Sequence, residues 1–239
     1  MNSKRILSQI KKDLIAHRDL EYKKGSKDFF KEPINPIGVR AKDTRAIVAK
    51  YYGEVRGLSM EDLFGVCEKL LKTGLMECGT IAFDWVYRRK REFKKNDFVI
   101  FECWLKKYVK NWAHCDDFCT HAVGALLFQF PDLLKKSKMW TKSSNRWMRR
   151  SAAVTLIYHS KQKEKKFLRD MFWVADKMLV DEDDLVQKGY GWMLKEAANF
   201  WQREVFEYVM KNREDMPRTA LRYAIEKMPK GLKKKAMIK

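Results

Sequence analysis

Five stretches of this chain are built alike and begin 31 to 38 residues apart: MECGTIAFDW from Met76, AHCDDFCTHAVG from Ala113, WMRRSAAVTL from Trp147, LVQKGYGWML from Leu185 and MPRTALRYAI from Met216. Each opens with polar or charged residues and continues into small ones such as Ala or Gly. A repeat of this length holds two helices. A helix pair cannot bury both of its faces alone and must stack on its neighbours. The expected fold is therefore all-α: a curved α-solenoid of HEAT-like repeats forming a single domain over 1–228, with a frayed basic C-terminal tail at 229–239. The small residues should let adjacent repeats approach closely, and the equivalent helix starts should line one concave surface.

Apolar spacing supports helices almost throughout. Ile6, Ile10 and Leu14 form one stripe. Asp43 could cap a helix running through Ala46 to Tyr52. SMEDLFGVCEKLLK opens with a capping-box pattern, Ser59 to Asp62, and places Leu63, Val66 and Leu70 on one side. Asn96 or Asp97 opens another helix. Further helices fit 115–130, 145–159, 163–179, 184–198, 202–211 and 217–227, with Pro217 in a first turn. FKEPINPIGVRAK, carrying Pro33, Pro36 and Gly38, is the least helical stretch and reads as a loop. The chain has only 11 Gly and 5 Pro in 239 residues, which fits helices better than a turn-rich β-fold.

The formal net charge is +20. A field of that sign draws polyanions, and Lys and Arg can replace the counterions of a phosphate backbone. Nucleic acid is the first partner to consider and an anionic membrane surface the second. No apolar run approaches the roughly 18–20 residues of a membrane span, so no membrane insertion is expected. MNSKRILSQIKKDL reads as an amphipathic helix rather than a signal peptide. Five cysteines without a CxxC pair suit a reducing, cytoplasmic setting.

KNWAHCDDFC, residues 110–119, concentrates the chemistry. His114, Cys115, Cys119 and His121 cluster, but the distant second ligand pair of a structural zinc site is missing. Small buried thiols in a helix core are the better reading, and neither a metal nor a cofactor is expected. No Gly-rich phosphate loop and no HxE…PCxxC deaminase pattern occurs. Trp112 and Asp116 are four apart and share a helix face. For Asp116 and Asp117 two accounts stand. One is helix capping and dipole compensation; the other is an active-site acceptor in a basic groove. Trp112, Trp147 and Trp192 can each be core residues. Arg149, Arg150, Lys188, Lys195 and Arg218 fall at related places in successive repeats. Each alone is a solvated charge, but together they suggest a strip matching duplex phosphates.

KNWAHCDD, NRWMRRSAAVTLIY and QKGYGWMLKE, in this order on a basic helical chain, resemble the AlkD family of DNA alkylation repair glycosylases. These are built of HEAT-like repeats, and the resemblance covers nearly the whole chain. FFKEPINPIGVRAKDTR resembles the family's N-terminal segment. The resemblance implies hydrolysis of the N-glycosidic bond of N3- and N7-alkylated purines in double-stranded DNA, by a monomer. It implies that Asp116 is the essential acid and that Trp112 and Trp192 contact the lesion. It matches a conserved Arg of the family to Arg150 and a basic residue to Lys195; with Arg149 and Lys188 of the same strip, these are expected to hold DNA. Phe29, also expected to contact the lesion, stands where the family has a Tyr near it, so that hydroxyl is missing; Lys195 stands where members often carry Arg; Asn111 replaces a further Trp of some members. On this reading Asp117 is a cap or a supporting group. Two other classes fit the same scaffold: a non-catalytic HEAT-repeat nucleic-acid-binding module, and a helical scaffold for acidic protein partners.

Overall fold

Ile6, Ile10 and Leu14 lie one turn apart, and all three are buried along α1 (Ser3–Ala16). The same logic builds the rest of the computed structural model, which describes residues 3–238. Every regular element among them is helical.

The chain divides into two compact units, Met1–Phe118 and Cys119–Lys239. The first continues with α2 (Leu20–Phe29), α3 (Ala41–Val55), α4 (Met60–Leu71), α5 (Met76–Arg88), α6 (Asp97–Tyr108) and α7 (Trp112–Phe118). In α4, Leu63, Val66 and Leu70 are buried as their spacing requires. Ser59 caps that helix, its Oγ accepting from the Asp62 N–H at 3.1 Å. For α3 the cap differs from expectation: Arg40 holds the position without a side-chain bond, and Asp43 sits inside the first turn. There its charge meets the helix dipole rather than an open N–H. The core of this unit is aromatic. Phe118 stacks on Phe83 at 4.4 Å, and Phe101 and Trp104 close around it.

The second unit opens with a π-type turn at Cys119–Val123, followed by α8 (Gly124–Gln129), α9 (Leu134–Lys138), α10 (Arg146–Val154), α11 (Leu156–Lys161), α12 (Leu168–Met178), α13 (Asp184–Ala198), α14 (Gln202–Asn212), α15 (Arg218–Ala224) and α16 (Lys230–Met237). The expected helix over 163–179 starts late, because Lys163 has φ 59° and breaks the path. The expected helix over 115–130 starts early, at Trp112. The C-terminal stretch is not frayed: α16 buries Ala236, and Arg213 and Arg218 donate to the carbonyls of Lys235 and Met237. Its lysines hid a short apolar face that packs on α14.

Glycines in the repeated stretches mark the closest approaches. A Cβ on Gly79 of α5 would lie 2.4 Å from the His114 ring of α7. One on Gly124 would lie 2.4 Å from Tyr158 Cβ of α11, and one on Gly191 2.7 Å from the Ala220 carbonyl oxygen of α15. The small residues of the repeats thus serve helix-to-helix contact, as their recurrence suggests.

Candidate active site

The short helix α7 begins one residue after Asn111, whose Oδ1 accepts from the His114 N–H at 2.9 Å while its carbonyl accepts from Cys115 N. Asn111 is therefore the N-cap. Asp116 and Asp117 lie a turn further on, inside α7, so neither is its N-cap. His114 is buried, and its Nε2 donates to the Met76 carbonyl at 2.9 Å. Burial pushes its pKa down against that bond, so the ring is neutral and Nδ1 faces the Asn111 amide at 3.4 Å. His114 thus ties α7 to α5. Cys115 and Cys119 are buried thiols.

Trp112, half-buried at the first position of α7, meets the end of α2 and its following loop. Phe30 stacks on its indole at 5.0 Å and 14°, and Phe29 meets it edge-on at 5.8 Å. Phe29 is 70% exposed, an unusual state for so large an apolar side chain. These rings, with Tyr22, Met76 and Asp117, border a cavity of about 720 Å³. Asp116 does not line it. Asp116 shares α7 with Trp112 four residues away and is half-buried.

The loop that follows Phe29 and Phe30 is held by a carboxylate that sequence reading missed. Glu77, buried in the first turn of α5, accepts from three successive backbone N–H groups: Ile37 at 2.9 Å, Gly38 at 2.8 Å and Val39 at 3.0 Å. Gly38 makes the turn possible, with φ 103°; a Cβ there would lie 2.7 Å from the Asp19 carbonyl oxygen. Asp19 closes the arrangement. It caps α2 through the Tyr22 N–H at 2.8 Å and pairs with Arg40 at 2.7 Å. Those two contacts, the backbone one first, hold its carboxyl below the usual range. The acid in MECG is visible in the sequence, but its partners 38–40 residues earlier are not.

Most of the remaining expected residues sit in the second unit on α10 and α13, which pack together, while Arg218 opens α15. Arg149 pairs with Asp181 at 2.7 Å and donates to the carbonyls of Ser143 and Ser144. Arg150 is 5% exposed, donates to the Leu185 carbonyl, and lies 3.1 Å from where a Cβ on Gly189 would be. Lys188 pairs with Asp184 at 3.1 Å. Lys195 pairs with Glu226 at 3.1 Å over the Tyr223 ring. The expected strip is thus not a row of bare cations. Arg149 and Arg150 stitch α10 to α13 and to the segment before it, while Lys188 sits in a looser, more exposed pair. Trp192, half-buried on α13, donates its indole N–H to Glu196 at 3.2 Å.

No helix among the described residues is long and apolar enough to cross a membrane. No match to the chain was found among curated proteins. Among solved structures, the fold is similar to that of a predicted DNA alkylation repair enzyme from Enterococcus faecalis. The TM-score is 0.78 with 17% identity, covering 90% of this chain and 98% of that one. The family model described as DNA alkylation repair enzyme matches residues 10–228. On that match, over most of its length, the chain belongs to the DNA alkylation repair enzyme family.

Proposed function

We propose that this protein is a DNA glycosylase that hydrolyses the N-glycosidic bond of cationic N3- or N7-alkylated purines in double-stranded DNA, with Asp116 as the catalytic carboxylate. The observation that carries the reading is local. Trp112 and Asp116 stand one turn apart on α7, a helix whose N-cap is Asn111, so neither Asp serves as the cap.

The chemistry asks little of an acid. Alkylation at N3 or N7 leaves the purine positively charged, so when the C1′–N bond breaks the electron pair goes to the base and neutralises it. Protonation of the leaving group is unnecessary. The sugar becomes oxocarbenium-like, and a carboxylate near it stabilises that charge and orients the water that adds to C1′. The proton released from that water passes to the carboxylate or to solvent. Indole faces favour a cation by ~0.5–2 kcal/mol each. Trp112, backed by Phe30, and Trp192, tethered to Glu196, are the rings offered for this role. Phe29 supplies exposed aromatic surface beside Trp112. Lys188 and Lys195 are the cations offered to phosphates. Arg149 and Arg150, which hold the helices that carry the lysines, are the further cations offered to DNA.

The test is release of free 7-methylguanine or 3-methyladenine from methylated duplex DNA. Release above the spontaneous rate supports the reading. Tight binding to the duplex with no release would favour the non-catalytic nucleic-acid-binding module instead.

A further inference from the structure

Trp192 carries one hydrogen-bond donor on its ring, the indole N–H, and it is committed to Glu196 Oε1 one helical turn on, at 3.2 Å. That carboxylate is itself held from two other sides. Lys227 Nζ reaches the same oxygen at 3.2 Å, and Asn199 Nδ2 donates to Oε2 at 3.2 Å. The Glu196 side chain is 17% exposed and that of Lys227 49%. The anion is therefore the more sheltered member of its ion pair, and solvent screens the ammonium more than the carboxylate. Both Trp192 and Glu196 lie on α13, whose place is set by Gly191 against α15.

This arrangement has an electronic consequence. An indole attracts cations through the negative faces of its quadrupole, while its edge is positive. An anionic acceptor on the edge N–H donates density into the ring and adds negative potential around it. It also fixes the ring's rotation, since the tether spans one turn of the same helix. Both effects favour a cationic partner over a neutral one of the same shape.

We propose that Glu196 is a positioning residue that makes Trp192 selective for charge: it holds the indole by its N–H and strengthens the ring's attraction for a cationic nucleobase over a neutral one. The proposal rests on the reading that Trp192 contacts the alkylated nucleotide. Glu196 does not touch the substrate in this role and acts through the tryptophan.

The test compares two duplexes that resist cleavage. One carries 2′-fluoro-N7-methylguanosine, a cation; the other carries 7-deaza-7-methylguanosine, its neutral counterpart. The wild-type chain should bind the cationic duplex more tightly. Glu196→Gln keeps an acceptor oxygen and the side-chain size but loses the charge. It should lose about three- to tenfold of the preference for the cation, the span of a modest cation–π contribution, with affinity for the neutral duplex and the melting temperature unchanged. In a Trp192→Phe background, which has no N–H to accept from, Glu196→Gln should change nothing further. Equal weakening of both duplexes by Glu196→Gln would mean a structural role only and overturns the proposal. So would a full additional effect in the Trp192→Phe background. If Trp192→Phe itself leaves both the preference and the excision rate intact, the reading of Trp192 fails first and the proposal with it.

Discussion

Phe30 lies flat against Trp112, ring centroids 5.0 Å apart and planes 14° from parallel, so one face of the indole is already covered from within the same unit. Phe29 touches both rings edge-on at 5.8 Å. Removing Phe30 should loosen the tryptophan as well as the loop. Phe30→Ala should cost about 2 kcal/mol in urea unfolding, from lost area and a lost aromatic pair. It should also slow excision beyond what that destabilisation explains. Phe30→Tyr keeps the stack and should behave as wild type. An alanine variant that excises at the wild-type rate would show that Trp112 needs no such backing.

Glu77 offers two oxygens to three N–H groups of residues 37–39. Glu77→Gln leaves one carbonyl oxygen and turns an NH₂ toward backbone donors. Bonds to a buried charge are worth ~1.5–3 kcal/mol each, and orphaned donors cost more than absent ones. The variant should lose about 3 kcal/mol of stability, and the loop at residues 30–40 should become the first site of limited proteolysis. A change under about 0.5 kcal/mol, the scale of ordinary surface substitutions, would mean that the loop is held by other contacts.

Arg149 and Lys188 should separate stability from binding. The Arg149–Asp181 pair is mostly sheltered, with side chains 20% and 12% exposed, and Arg149 also serves two carbonyls. Arg149→Ala should cost about 2–4 kcal/mol, because it leaves a sheltered carboxylate without its partner. The Lys188–Asp184 pair is more exposed and contributes little to stability. Lys188→Ala should therefore leave the melting temperature alone and reduce the salt slope of duplex binding by about one, across unrelated sequences. A loss confined to one sequence would contradict the phosphate role.

His159 makes stability depend on pH. It is fully buried among Phe128, Tyr158 and Phe167, and neither ring nitrogen has a well-formed hydrogen bond. Burial pushes its pKa down from 6.5 to about 4, against smaller upward pulls from the backbone of Thr155 and Leu127. As pH falls, the unfolded chain takes up the proton first. The stability is complete above about pH 6.5 and is lost on the way down to about pH 4, by roughly 2–3 kcal/mol from this residue. His114, also depressed by burial, adds with the same sign. Urea midpoints measured from pH 7 to pH 4.5 should fall in the wild type and fall less in His159→Leu. Parallel curves would remove His159 as a cause.

Much of this was legible beforehand, and for identifiable reasons. Helices follow from local periodicity, so the spacing predicts α13 over 184–198, the range it occupies. Boundaries went wrong where a side chain some way off decided them. The start of α7 depends on Asn111, and the order of 230–237 depends on Arg213 and Arg218. The pairing of Trp112 with Asp116 is a spacing of four and could be read; the stacking of Phe30 on Trp112 joins residues 82 apart and could not. Nor could the partners of Arg149 and Glu77. Charge recurs along the sequence, but which cations are occupied is settled only by packing.

The most direct measurement of the central claim is single-turnover release of 7-methylguanine from a methylated duplex by the wild type, Asp116→Asn and Asp117→Asn. Melting temperature and duplex affinity are followed alongside. Asn keeps the shape of Asp and removes the charge that the proposed mechanism sets against the forming oxocarbenium ion. Asp116→Asn should slow release by ~10²–10³, the loss typical of a removed electrostatic stabiliser, with affinity and melting nearly unchanged. Asp117→Asn, on the rim of the cavity beside Trp112, should retain most of the rate. Undiminished release by Asp116→Asn would contradict the account, and loss confined to Asp117→Asn would move the catalytic role to the neighbouring carboxylate.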